Sequence, residues 1–261
     1  MITKQQLMDD LRAMGIRSDD TVLIHISLKA VGQVEGGADG LIDAFCGYLQ
    51  DGLFLVPTHT WDSVNADNPV YDVSASVPCI GAVPRAAAFR KDGIRSLHPT
   101  HSVWAHGKNA ADFIRGEEKA ASPAPVGFCW DRLADVGAKI LLIGVTHNRN
   151  TFIHSVDERM NLPDRLSAVP YDVTILDHKG NSFVHPMRSH SCSRTNDVSL
   201  FYVNFEKPLT ELGAQNFGTL GDAQVRIVDA KKCREIVSRI YSRAESDIFT
   251  EYREFPESLY K

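Results

Sequence analysis

The chain has 261 residues, long enough to bury a sizeable core without disulfide or metal staples. Hydrophobic residues make up 43% and charged residues 23%, the balance of a folded soluble protein, which excludes long disorder. A net charge of −5, with acidic and basic residues interspersed, leaves no broad basic surface to neutralise a nucleic-acid backbone, so DNA and RNA are not expected partners.

The first residues, MITKQQLMDDLRAMG, carry acids where a signal peptide needs an apolar core. No later run approaches the roughly 20 apolar residues of a membrane span, so a cytoplasmic protein without a membrane partner is expected. Cys46, Cys79, Cys129, Cys192 and Cys233 are odd in number, scattered and never spaced C-x-x-C, a pattern of reduced and mostly buried thiols.

Leu7, Leu11 and Met14 recur at helical spacing before Gly15, which predicts a short opening helix. TVLIHI (21–26) reads as a strand, a glycine-punctuated loop follows, and ADGLIDAFCGYLQ reads as a helix ending near Gly52. LFLVP (53–57) closes a βαβ unit with an expected parallel crossover. From 58 to 78 the chain is polar and aperiodic, longer than most connections, which marks a functional or mobile loop. GAVPRAAAFRK predicts a helix, HSVWAHG a strand, KNAADFIRG a helix and WDRLADVG the end of another. KILLIGV (139–145) is the strongest strand, and a helix capped by Asn150 or Thr151 follows it. YDVTILD and NSFVHPM form a predicted hairpin about HKG, QVRIVDA a strand, and KKCREIVSRIYSRAES an amphipathic helix burying Cys233, Ile236, Ile240 and Tyr241. The expected fold is α/β: one domain over 1–261, a central mixed sheet flanked by helices.

Three clusters carry candidate chemistry. In HISLKAVGQVEGGADG (25–40) a strand end feeds a glycine-rich turn and a helix, whose free N–H groups suit a pyrophosphate, although neither G-x-G-x-x-G nor the P-loop pattern is present and a plain turn remains open. RSLHPTHSVWAHG (95–107) packs His98, His101 and Ser102 about a proline; H-x-x-H admits a metal, but no third ligand lies at a recognised spacing, and a substrate-lining or core histidine is the other reading. In TFIHSVDE (151–158), Asp157 and Glu158 lie three and four residues beyond His154, so either can share its helix face. A carboxylate that fixes the tautomer makes histidine a general base near neutral pH, and a solvated helix with incidental charges is the alternative.

Taken in order, these segments resemble the aminoglycoside 3-N-acetyltransferase family over residues 5 to 245. The family pattern H-S-S-L-x-x-x-G-x-x-x-G-G is matched by His25, Ser27, Leu28, Gly32, Gly36 and Gly37, and P-T-x-[ST] by Pro57-Thr58-His59-Thr60. H-P-x-x-S-x-x-A-x-G is met by His98, Pro99, Ser102, Ala105 and Gly107, the S-P segment by Ser122-Pro123, and L-x-G-V-x-x-x-x-N-T-x-x-H-x-x-[ED] by Leu142, Gly144, Val145, Asn150, Thr151, His154 and Asp157. Two features depart from it: Asp157 stands where Glu is usual, and the 60–80 loop is shorter than in many resistance enzymes.

The resemblance implies direct acetyl transfer from acetyl-CoA to an amine, most simply the 3-amino group of an aminoglycoside or related amino sugar, without a metal. His154 is the implied base, Asp157 or Glu158 its orienting acid, and Thr151, Ser102 or a backbone N–H the donor to the oxyanion. His25, Ser27, Leu28, Lys29, Ala30, Val31, Gly32, Gly36, Gly37, Thr58, Ser102 and Val103 are the implied acetyl-CoA-binding residues. An acidic cleft would attract a polycationic acceptor, which makes Asp62, Asp67 and Asp72 of the long loop, with Glu158, candidate lining groups, a solubilising loop being the other reading. His98 is a further acceptor candidate, and His190 and Cys192 could approach the same side or be a loop histidine and a quiet thiol. A monomer or homodimer with a small-molecule amine as partner is expected. The rivals are acetylation of an endogenous amine metabolite, a metal-dependent hydrolase built on His98, His101 and His154, and a noncatalytic coenzyme-A- or sugar-binding protein.

Overall fold

A computed structural model describes residues 1–244 and 250–261. Its central sheet has seven strands in the order β4-β5-β2-β1-β6-β10-β9. These are β1 (Thr21–Ile26), β2 (Leu53–Pro57), β4 (Ile94–Arg95), β5 (Val103–Gly107), β6 (Lys139–Ile143), β9 (Gln215–Leu220) and β10 (Ala223–Asp229). The strands β1, β2 and β6 run parallel at the centre, while β5 and β10 are antiparallel to their inner neighbours. The mixed α/β sheet is as the sequence predicts.

Near-continuous apolar runs suit central strands because both faces are covered. Alternate residues then divide between two cores. Val22, Ile24, Phe54, Val56, Leu141 and Ile143 pack with Leu41 and Phe45 of the helix Gly37–Tyr48. Leu23, Leu53, Leu55, Ile140 and Leu142 pack on the opposite face with Trp130, with Phe152 and Val156 of the helix Phe152–Arg159, and with Cys233, Ile236 and Ile240 of the helix Ala230–Arg243. The chain therefore leaves β1 toward one face and β6 toward the other. Adjacent parallel strands whose exits diverge in this way open a crevice beyond their carboxyl ends, the usual ligand position in such sheets.

Gly144 lets the two exits meet. It sits just after β6 at φ +63°, and a Cβ there would collide with that of Ala30 and lie 3.6 Å from that of Ser27. Only glycine accepts both the backbone and the contact.

The opening helix spans Lys4–Ala13, closed at its start by a Thr3/Gln6 capping box. The expected hairpin is present as β7 (Tyr171–Leu176) and β8 (Ser182–Met187), but it belongs to a second, three-stranded sheet. Its third strand is β3 (Val70–Asp72), contributed by the 58–78 loop, and Val64, Tyr71, Val173, Ile175 and Met187 form its small core. Most of that loop is thus built structure: Arg95 binds its carbonyl groups at Thr58 and Ser76, and Tyr71 donates to the carbonyl of Ser96.

The predicted helix over KNAADFIRG shrinks to one turn, Ala110–Phe113, because too few of its residues find a core. Positions 245 and 246, the end of the predicted carboxy-terminal helix, lie outside the described residues. Among those residues no helix is long and apolar enough to cross a membrane, and all five cysteines are free thiols.

Candidate active site

The helix Phe152–Arg159 starts beyond β6, after a single turn at His147–Arg149. Its apolar face anchors Phe152, Ile153 and Val156 in the core, and helical period places His154 and Asp157 one turn apart on a buried side. Asp157 does not bond the imidazole directly: Nδ1 and Oδ2 are 3.7 Å apart. The phenol of Tyr202, from the 3-10 segment Val198–Phe205, stands between them. Its oxygen is 2.7 Å from Nδ1 and donates to Oδ2 of Asp157. Tyr241 donates to Oδ1 at 2.5 Å, and Nε of Arg165 lies 3.8 Å from Oδ2. Burial, reinforced by the Asp157 charge, pushes both phenols well above their ordinary range, so they remain protonated donors.

Glu158, the other candidate partner, turns away. Ser122 Oγ and the Ala124 N–H hold its carboxylate, the latter at 2.7 Å, so it fastens the 122–124 segment to the helix. Burial raises its pKa.

Around His154 lies a group of rings. His190 stacks on it with centroids 3.8 Å apart, His101 lies 5.2 Å beyond His190, and His59 is 4.5 Å from His101. Trp130 touches both His59, at 5.3 Å, and His25, at 6.0 Å. Burial pushes His59, His101 and His190 well below the ordinary histidine range and His25 down to about 3, so these rings are neutral. The Nε2 atoms of His25, His59 and His190 are buried and unpaired among the described residues. Buried polar atoms without partners are costly, and in a crevice they are the atoms a ligand satisfies.

The family model described as aminoglycoside 3-N-acetyltransferase matches residues 23–242. The chain belongs to the aminoglycoside 3-N-acetyltransferase family. Aminoglycoside N(3)-acetyltransferase VIII of Streptomyces fradiae is 29% identical over 193 residues, covering 67% of this chain and 67% of its own. Aminoglycoside N(3)-acetyltransferase IV of Salmonella sp is 28% identical over 240 residues, covering 90% and 84%. Among solved structures, AAC-IIIb in a binary complex with CoASH superposes with a TM-score of 0.78 at 20% identity, covering 90% of this chain and 94% of that one. A mutant of aminoglycoside acetyltransferase AAC(3)-IVa in complex with a gentamicin gives 0.78 at 24%, covering 99% and 94%. The fold is that of the aminoglycoside acetyltransferases.

Of the residues that the family resemblance put at acetyl-CoA, several are engaged elsewhere. Val31 is a core side chain, and its carbonyl accepts from Asp222 N at 2.9 Å. Val103 is buried in β5. Thr58 and Ser102 are fully buried and bond each other at 2.8 Å beside Arg95. The side chains of these four residues are thus packed or bonded within the protein. The Ser102 hydroxyl donates to the Thr58 carbonyl at 2.8 Å. Thr151, at the amino end of the helix Phe152–Arg159, makes no side-chain cap bond.

The loop after β1 keeps its suitability for a phosphate-bearing arm. Ser27 caps the turn Leu28–Val31, Lys29 is exposed, and Leu28 and Ala30 are half-buried against the core. Gly32, Gly36 and Gly37 all take positive φ, and the last two open the helix Gly37–Tyr48 at the crevice. The Gly37 N–H is held by the Val34 carbonyl, so that one amide is already used.

On the acceptor side, the His98 ring is buried and bonded to backbone. Its Nε2–H donates to the Ser122 carbonyl at 3.0 Å, and its Nδ1 accepts from the amides of Thr100 and His101. Both nitrogens are spent on backbone, which also breaks up the proposed His98, His101 and His154 ligand set. Asp72 closes a turn through Ser74, which lowers its pKa, whereas Asp62 and Asp67 are exposed on the loop. Cys192 Sγ contacts Asp164. Among the described residues, potential metal-ligand atoms converge within 4.8 Å at Cys46, Asp92 and His106. There Arg90 occupies both oxygens of Asp92, and burial pushes the Cys46 thiol up to about 12, so the set offers a cation little.

Sequence reading missed Tyr202, Tyr241, Trp130, His59 and Arg165. Tyr202, Tyr241, Trp130 and His59 are remote from the His154 motif in sequence, and although His59 sits within the Pro57–Thr60 motif and Tyr241 on a predicted amphipathic helix, no local pattern ties either to His154. The unusual aromatic run FYVNF was the one available signal for Tyr202.

Proposed function

We propose that the protein acetylates an amine, the 3-amino group of an aminoglycoside or a related amino sugar, by direct transfer with His154 as general base. Acetyl-CoA bound along the 27–37 loop supplies the thioester carbonyl and leaves as the thiol. His154 takes the proton that the amine nitrogen loses as its bond to the acetyl carbon forms, then returns it to the departing sulfur. Thr151 offers its hydroxyl to the carbonyl oxygen as that atom gains charge. The reading rests on one observation above all: His154 engages Nδ1 inward and leaves Nε2 as the nitrogen able to accept a proton.

The carboxylates nearest His154 are internally bonded, and the exposed Asp62 and Asp67 of the long loop are the groups assigned to meet a cationic acceptor. The test is a thiol-release assay over a panel running from gentamicin- and kanamycin-type aminoglycosides to singly charged amino sugars, with mass spectrometry for the added acetyl group. Turnover is expected with at least one amine and should fall about 100-fold or more in His154→Gln. Stabilisation by CoA without product on any acceptor would instead favour a binding protein.

A further inference from the structure

Tyr202 occupies the position that a carboxylate would hold in a simple histidine–acid pair, and its single hydroxyl proton decides which nitrogen of His154 is basic. Asp157 is 1% exposed, lies beside Arg165 and accepts from two phenols. An ionised carboxylate only accepts hydrogen bonds. Were the Tyr202 proton turned toward His154, lone pairs of Oη and Oδ2 would face each other across a short contact. The proton therefore belongs to Asp157, and Oη can only accept from His154. This requires a proton on Nδ1.

We propose that Tyr202 is a positioning residue for the reaction: it transmits the Asp157 charge to His154, fixes the Nδ1–H tautomer and so makes Nε2 the base. This rests on the reading of His154 given above. Tyr241 pins the second oxygen of Asp157, which stops the carboxylate from turning to reach the ring directly. His190, stacked on the other side, fixes the ring plane. When His154 takes a second proton on Nε2, the Nδ1–H bond to Oη stays in place. The new positive charge then lies one phenol away from Asp157, with no proton passing to tyrosine or aspartate. Besides Tyr202, the charged or titratable groups about the ring among the described residues include Asp157, Arg165, Glu158, His190, His59 and His101.

The test uses the full chain labelled with ¹⁵N-histidine, with the His154 signals assigned by their loss in His154→Gln. The wild type should give the neutral Nδ1–H form. Tyr202→Phe removes one oxygen and should abolish that preference, lowering kcat about tenfold or more while KM for acetyl-CoA stays within about twofold. If Tyr202→Phe does not fold, Asp157→Asn reads the same link, because loss of the carboxylate frees the phenol proton and weakens the Nδ1–H preference. A ring that remains Nδ1–H with wild-type kcat in the folded Tyr202→Phe variant overturns the proposal while an inactive His154→Gln leaves the base assignment standing. An active His154→Gln removes the base assignment itself, and the proposal with it.

Discussion

Asp157→Asn and Glu158→Gln separate two carboxylates that the helix places side by side. Asp157 is tied to His154 through Tyr202, whereas Glu158 is tied to Ser122 and Ala124. Asp157→Asn is expected to cut kcat by about tenfold or more, and Glu158→Gln by less than about threefold, in steady-state assays with saturating acetyl-CoA. Equal losses would show that both acids act on the base. The sequence placed both acids within reach of His154 but could not choose, because the choice is made from far away. Tyr202 and Tyr241 lie 45 and 84 residues beyond Asp157. The same holds for His98: a motif spacing marks a residue as constrained, and only the contacts tell whether backbone or substrate constrains it.

At the scale of elements, the strands β1, β2 and β6 were legible because each is a compact, predominantly apolar run. The strand β9, QNFGTL, was not, since an edge strand keeps polar residues and a glycine on its open side. The strand β3 has three residues and exists because β7 pairs with it. What the pattern of strands could not reveal is how closely the exits of β1 and β6 approach. Gly144→Ala tests that approach. Its positive φ and the collision with Ala30 together should cost about 2 to 4 kcal/mol in urea denaturation. Gly137 has a nearly equal φ of +64° and nothing within 4 Å of the added carbon, so Gly137→Ala should cost only about 1 kcal/mol. If the two variants lose the same stability, the β1 and β6 exits do not meet as described.

For the whole molecule, the buried imidazoles dictate how stability depends on pH. Burial lowers His25 to about 3, and His98 and His147 to about 4, from an ordinary value of 6.5. The unfolded chain protonates these rings as pH falls through 6.5, while the folded protein does not until near pH 4. Between those limits the unfolded state binds more protons, so stability drops as pH drops, by about 1.4 kcal/mol per pH unit for each ring. Glu117 opposes them. Burial raises it from 4.5 to about 7, so between those values the folded state holds the extra proton and stability falls as pH rises. Three rings against one carboxyl leave a net uptake of at least two protons on unfolding, with His59, His101 and His190 adding to it. Chemical denaturation should therefore show a loss of roughly 3 kcal/mol or more between pH 6 and pH 5. Glu117→Gln removes the opposing proton: it should add about 3 kcal/mol at pH 8, almost nothing at pH 4.5, and steepen the acid loss. The sequence hid this residue in the charged run GEEK, which reads as surface. In the folded chain its Oε1 accepts from Cys129 N at 2.8 Å, capping a buried helix start, and its other oxygen has no partner among the described residues. A stability that stays flat from pH 7 to pH 5, in both proteins, would mean that the imidazole cluster is hydrated and charged rather than neutral and sealed.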